Sequence, residues 1–214
     1  MIRELLICAC ILPLGADIAW SCPGQTGKSI FSDDFSDDSG GWDLDSHTVV
    51  ASGTLQLTTD AKTKSDGAFN STFNATNGDY CLVIDFPTTP PEEGNEDYVS
   101  LAFLGSDYKN RYELQVGTLG DFWINRLVKN SWEYLTPVTK TPAIKTDPGA
   151  ENTLRAIVKD DKITFFINGT QIKVLRAQVT DDDNKFGFFA GEVSRAPTNP
   201  RVFTVKSYSV TEAP

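Results

Sequence analysis

The sequence predicts an all-β fold, a two-sheet antiparallel β-sandwich of the jelly-roll type. Three observations carry this expectation. Beyond residue 20 no stretch keeps a long 3.6-residue apolar period, which argues against a helical body. Short segments of alternating apolar and polar residues recur instead, each bounded by Gly, Asn or Asp turn signals. Two runs, DYCLVIDF (79–86) and KFGFFAG (185–191), are apolar on both faces, as strands in the middle of large covered sheets are.

Taken in order, Gly53 precedes TLQLTT (54–59), with Leu55 and Leu57 on one face. Gly67 precedes AFNSTF (68–73), with Phe69 and Phe73 as its apolar residues. Asn77-Gly78 turns the chain into the run at 79–86, which Pro87, Pro90 and Pro91 end because proline cannot donate to a ladder. An acidic loop with Glu92, Glu93, Glu96 and Asp97 leads to YVSLAFLG (98–105) and a tight connection, SDYKN. RYELQVG (111–117) alternates cleanly: Tyr112, Leu114 and Val116 on one face, Arg111, Glu113 and Gln115 on the other. It pairs as a hairpin with FWINRLV (122–128), and a shorter strand with Trp132 and Tyr134 follows. After a Thr/Pro-rich loop, whose 142–152 stretch holds the one helical-turn candidate, ENTLRAIVK, KITFFI and QIKVLRA form strands. Asn168-Gly169 between the last two is the strongest hairpin signal in the chain. The acidic knuckle Asp181–Asp183 precedes the run at 185–191, and RVFTVKSYSV (201–210) closes the domain. This gives about eleven or twelve strands in one domain spanning 22–214.

The 214 residues include 40% hydrophobic and 11% aromatic residues, enough for a core and against wholesale disorder. A net charge of −10 with scattered acids and no basic block argues against nucleic acid as a partner. The single histidine, His47, has no sequence neighbour to make it a metal ligand or a triad member and reads as a surface residue. There is no GxSxG, P-loop or GxGxxG.

Residues 1–21 read as a secretory signal: Arg3 precedes an apolar run, LLICACILPLGA, too short to span a bilayer. Cleavage after Ala19 and after Ser21 both fit, Cys10 and Cys22 are poor lipid-anchor sites, and no transmembrane segment remains after removal. The expected location is secreted or periplasmic. The mature chain then keeps Cys22 and Cys81. In an oxidising compartment the pair suggests one disulfide; a buried Cys81 beside an exposed Cys22 is the alternative.

The segments FSDDFSDDSGGWD (31–43), VVASGTLQLTT (49–59), the stretch 104–135, ENTLRAIVKDDKITFFINGTQI (151–172) and DNKFGFFAG (183–191) together resemble the concanavalin A-like and laminin G-like sandwiches. Within them the chain is most similar to bacterial secreted domains of the 3-keto-disaccharide hydrolase kind. The resemblance implies neighbouring terminal strands, a curved sheet able to hold saccharide, and Trp42 as a packing anchor. It also implies a candidate structural calcium, for which Asp33 and Asp34 offer hard oxygens. Lys206, where relatives commonly carry an aspartate, argues against that ion; no other cofactor is expected.

Glycoside cleavage needs two carboxyls held on a rigid frame. The Glu-x-Asp-x-x-Glu strand pattern of family 16 glucanases is absent, the 92–97 acids read as a solvated loop, and Glu113 has no evident acidic partner. The expected function is therefore a lectin-like carbohydrate-binding module for a glycan or cell-envelope polysaccharide, without catalytic machinery. The alternatives are a glycoside hydrolase of the 3-keto-disaccharide type and a structural or adhesive sandwich. The expected ligand residues are Arg111, Glu113, Gln115, Trp123, Asn125 and Trp132: an aromatic platform with amide and charged groups to read hydroxyls. Ordinary cross-strand packing explains the same composition.

Overall fold

A computed structural model of the chain describes residues 22–178 and 184–214. The signal expected over 1–21 and the Asp181–Asp183 knuckle lie outside the described residues. Fifteen strands follow one another: β1 (Ser29–Asp33), β2 (Thr48–Ala51), β3 (Thr54–Thr59), β4 (Ser65–Phe69), β5 (Gly78–Asp85), β6 (Asp97–Asp107), β7 (Asn110–Gly117), β8 (Asp121–Val128), β9 (Ser131–Tyr134), β10 (Thr139–Lys140), β11 (Glu151–Lys159), β12 (Lys162–Ile167), β13 (Thr170–Arg176), β14 (Lys185–Glu192) and β15 (Arg201–Thr211). They form two antiparallel sheets. One runs β13-β12-β11-β5-β15-β3-β2, with β1 on β15; the other runs β10-β8-β7-β6-β14-β4, with β9 on β8.

The all-β sandwich is as expected, and the two-sided apolar runs lie inside the sheets. β5 sits between β11 and β15, and β14 between β6 and β4. Elsewhere alternation sorts the side chains. Tyr112, Leu114 and Val116 of β7, Val99, Leu101 and Phe103 of β6, and Leu154, Ala156 and Val158 of β11 enter one core between the sheets. The terminal strands β1 and β15 pair, with Asp33 opposite Tyr208. Trp42 anchors that end: it is buried, meets the rings of Phe188 at 5.0 Å and Tyr208 at 5.4 Å, and donates Nε1–H to Asp33 Oδ2 at 2.7 Å.

Two local expectations are corrected. Residues 142–152 contain no helical turn: Pro142, Pro148 and Gly149 (φ 74°) interrupt the backbone. The Asn152 side chain holds the loop by bonding both the N–H and the C=O of Lys145, each at 3.0 Å. The strand expected over 68–73 runs instead from Ser65 to Phe69. Asn70 Oδ1 accepts from the N–H groups of Thr72 and Phe73, which turns the chain and leaves Phe73 exposed.

The disulfide is present between Cys22 and Cys81, with Cα atoms 5.6 Å apart. Beside it Arg155 forks onto Asp79 with bonds of 2.7 and 2.6 Å and donates to the carbonyls of Pro23 and Gly24. The covalent and ionic links together fix the N-terminal arm against β5 and β11.

Candidate functional site

Because Tyr112, Leu114 and Val116 fill the core, Arg111, Glu113 and Gln115 face the opposite side of β7, on the outer face of the seven-stranded sheet. The hairpin register sets Glu113 opposite Asn125 and Gln115 opposite Trp123. β9 extends the row, with Tyr134 opposite Asn125 and Trp132 opposite Leu127. All six residues expected at a ligand site thus share one face. A trough of 330 Å³ opens there, lined among others by Tyr98, Gln115, Trp123, Asn125, Trp132 and Tyr134.

The polar groups form a directed chain. Glu113 accepts from Arg111 Nε at 2.5 Å and from Gln115 Nε2 at 2.6 Å, and Gln115 Oε1 accepts from Asn125 Nδ2 at 2.7 Å. A carboxylate only accepts, so it obliges Gln115 to present its NH₂ and Asn125 to present its own in turn. The Arg111 guanidinium lies over the Phe189 ring at 4.0 Å and the Trp132 ring at 5.3 Å, and also donates to the Tyr108 carbonyl.

Sequence reasoning missed the wall across from this chain. In the ladders Tyr98 faces Gly117 on one side and Gly191 on the other. A Cβ on Gly117 would stand 2.0 Å from Glu96 Oε1, and one on Gly191 2.7 Å from the Tyr98 hydroxyl. The two glycines therefore make the room in which Glu96 and Tyr98 lie. Glu96 lines the trough and accepts from the Leu119 N–H at 3.2 Å. Burial raises its carboxyl above the usual range, and the Asp121 charge adds to this. Burial, and then the charge of Glu113, push the Tyr98 phenol up to about 12. Glu113 and Gly117 are four residues apart on one strand, about 13 Å between Cα atoms. The Glu113 carboxyl is held between Arg111 on one side and Gln115 on the other, while Glu96 Oε1 stands over Gly117, so the strand spacing keeps the two carboxyls about 13 Å apart.

Of the 92–97 acids Glu93 is exposed as expected, but Glu96 and Asp97 are not part of a solvated loop, and the expectation is corrected for them. Glu92 is bound to Thr198 and Asn199, while Asp97 is buried against Arg201 with a bond of 2.9 Å. Next to Asp97, Glu192 accepts from Asn95 Nδ2 at 2.6 Å. Burial, reinforced by the neighbouring Asp97, pushes the Glu192 carboxyl up to about 9. The folded chain therefore holds a proton that the unfolded chain releases near pH 4.5, so this group's contribution falls as pH rises from there toward about 9. Glu192→Gln keeps a donor facing Asp97 at every pH. It should raise thermal stability at pH 8 and leave it nearly unchanged at pH 5, a difference on the order of 2 kcal/mol in denaturation curves.

Three of the Asp33 and Asp34 oxygens expected as calcium ligands bond within the chain, Asp33 Oδ2 to Trp42 as above. Asp33 Oδ1 accepts from the Phe35 N–H at 2.8 Å, and Asp34 Oδ1 from the Ser36 N–H at 3.0 Å. Lys206 is ion-paired to Asp85 at 3.0 Å and Glu151 at 2.9 Å. His47 is not isolated: its Nδ1 lies 3.4 Å from Asp66 and its Nε2 3.1 Å from the Thr63 hydroxyl.

No family model matches the sequence, and a search of curated proteins finds no match. The structure is similar to several solved ones. The catalytic domain of an endo-1,3-β-glucanase (laminarinase) from Thermotoga petrophila matches with a TM-score of 0.64 at 12% identity, over 88% of this chain and 98% of that one. The LamA catalytic domain of Zobellia galactanivorans matches with a TM-score of 0.64 at 12% identity, over 86% and 98%. The carbohydrate-binding module CBM66 of Bacillus subtilis matches with a TM-score of 0.59 at 15% identity, over 80% and 96%. These likenesses establish a concanavalin A-like jelly roll of the kind seen in bacterial glycosidases, and not the 3-keto-disaccharide hydrolases in particular. They also correct the expectation of a lectin-like module without catalytic machinery. At nearly full coverage on both sides, this sandwich is shared with catalytic domains of glycan-cleaving enzymes. Glu96, from the segment before β6, lines the trough.

Proposed function

We propose that the outer face of the seven-stranded sheet is the active site of an exported enzyme that cleaves glycosidic bonds in a bacterial or cell-envelope glycan. One observation carries the reading: a burial-raised carboxyl, Glu96, stands in an aromatic-walled trough whose amides Gln115 and Asn125 are held in line by the buried, salt-bridged carboxylate Glu113 beside them. Trp123 and the exposed Trp132 and Tyr134 offer ring faces to the apolar sides of sugars. The amides of Gln115 and Asn125 address hydroxyls. Glu96, kept protonated more readily by burial, donates to the leaving oxygen. Glu113 acts as base or charge stabiliser. The Cys22–Cys81 disulfide supports an oxidising location. Among the described residues no helix is long and apolar enough to cross a membrane.

The resemblance of the 104–135 stretch to 3-keto-disaccharide hydrolase domains favours a narrower substrate class, sugars already oxidised at C3. There the ketone acidifies the C2 proton, and removing it expels the C1 substituent. One base suffices for that step, and Glu113 is the strand-centred carboxylate placed for it.

The test is release of reducing sugar from a panel of β-glucans and other glycans, run beside 3-keto-disaccharides. Glu96→Gln should lower kcat at least 100-fold for alkyl glycosides and much less for aryl glycosides, whose leaving groups need no proton. Retained activity of Glu96→Gln on keto substrates alone would select the narrower class. No release from any substrate would overturn the proposal.

A further inference from the structure

At the far edge of the sandwich from Trp123, Asp45 and His47 lie in the loop leading into β2, and Asp66 lies on β4. β2 and β4 are the edge strands of the two different sheets, so this cluster bridges the open seam between them. One ligand atom from each of the three residues lies within 4.8 Å of the others. We propose that Asp45, His47 and Asp66 form a binding site for a divalent transition-metal ion that clips the two sheet edges together.

Four features argue for it. First, each carboxylate is anchored to the backbone by one oxygen. Asp45 Oδ1 accepts from the N–H of His47 at 2.7 Å and of Thr48 at 3.0 Å. Asp66 accepts from the Gly67 N–H at 2.7 Å through Oδ1, which leaves Oδ2 toward the imidazole. Second, residues outside the cluster orient the ring. Nε2 faces the Thr63 hydroxyl at 3.1 Å, with an Asp60 oxygen at 3.7 Å behind it. A neutral ring that donates Nε2–H to Thr63 would turn its Nδ1 lone pair toward Asp66, the arrangement found for metal-bound imidazoles. Third, that lone pair looks at Asp66 Oδ2 across 3.4 Å. Without metal a proton on Nδ1, or the Ser46 hydroxyl 3.4 Å from it, serves this contact, and a cation between the two atoms would replace it. Two ligands of a tetrahedral ion with bonds of about 2.0–2.1 Å lie about 3.4 Å apart, so this edge is already at the required length. Fourth, among the described residues no Lys or Arg ion-pairs with Asp45 or Asp66; Lys64, two positions away, donates to the Ser194 carbonyl instead.

One imidazole with two carboxylates, leaving a fourth position open, suits zinc, manganese or cobalt better than calcium, which takes six to eight oxygens. This site is independent of the glycan-cleaving reading, and its test does not use turnover.

The experiment takes the tag-free mature protein, freed of metal by a chelator and dialysed. Titration calorimetry with Zn²⁺, Mn²⁺ and Ca²⁺ should show one transition-metal ion per chain and at least tenfold weaker binding of Ca²⁺. Co²⁺ should give the intense visible absorption of a four-coordinate ion. His47→Ala and Asp66→Asn should each weaken Zn²⁺ binding at least 100-fold and abolish the Co²⁺ band, and Thr63→Val should weaken it roughly tenfold. His47 is partly exposed, so His47→Ala should fold, as its unchanged circular dichroism would show. Absence of saturable Zn²⁺, Mn²⁺ or Co²⁺ binding by the wild type would overturn the proposal. So would binding that survives His47→Ala and Asp66→Asn.

Discussion

Replacing Glu113 by Gln should lower turnover at least 1,000-fold while leaving the protein folded. The loss follows from the role proposed for this carboxylate, since an amide neither takes a proton nor stabilises positive charge developing on a sugar ring. Retained folding is the less obvious half. Removing one partner of a buried ion pair is ordinarily strongly destabilising, by about 3–5 kcal/mol, and Arg111 is only 9% exposed. Here the neighbouring amides can reverse. The introduced amide would still offer Arg111 an oxygen and would present its NH₂ to Gln115. Gln115 then donates to Asn125 across the same 2.7 Å. In that orientation the Asn125 oxygen also accepts from Trp123 Nε1 at 3.1 Å, and its NH₂ donates to the Ile124 carbonyl at 3.2 Å. Every amide keeps a partner, and the Arg111 guanidinium keeps the rings of Phe189 and Trp132. Kinetics with the preferred glycan, beside thermal melts, separates the two effects. A variant that folds and turns over at the wild-type rate would remove Glu113 from the mechanism. Glu113→Ala is the harsher control. It strands Arg111 and Gln115 together and should lose stability as well as activity.

The largest stability effect is expected at the disulfide. Cys22 and Cys81 are 59 positions apart. A cross-link over a loop of that size restricts the unfolded chain by about 4 kcal/mol in the chain-entropy description. Cys22→Ala/Cys81→Ala together should therefore lower the melting temperature by roughly 10 °C. The double variant is the right comparison because a single one leaves a thiol buried in the sheet. Arg155 moderates the outcome: its fork onto Asp79 and its bonds to the Pro23 and Gly24 carbonyls hold the same arm without the bond. Arg155→Met in the same background should add further loss. A melting temperature unchanged in the double variant would mean that the arm's ionic contacts alone set its contribution.

Legibility in the sequence differed between fold and site for a physical reason. Strand identity and facing follow from a two-residue period, and that period is local. It was enough to put Arg111, Glu113 and Gln115 on one side and Tyr112, Leu114 and Val116 on the other. The short β7–β8 connection kept the register close to what alternation suggested, so Trp123 and Asn125 fell where expected. Glu96 was not legible. It precedes β6 in an acidic stretch that looks like solvated loop, and what brings it to the trough is Gly117, twenty-one positions later, lacking a side chain. Nothing within reach of Glu96 along the chain signals that vacancy. The neighbours of His47 were equally illegible, because Asp66 stands beside it only once β2 and β4 become the edges of facing sheets.

By itself, then, the chain's alternation and turn chemistry determined that it is a layered β-structure, which strands are central, and which side of the β7–β8 hairpin is wet. Backbone sterics and the hydrophobic effect act over a few residues, so a linear string records them. Tertiary structure alone decided which acids meet. Carboxyl pairing, the room left by a glycine on a neighbouring strand, and a ligand set shared between two sheets depend on distances across the fold, and sequence separation does not encode those distances.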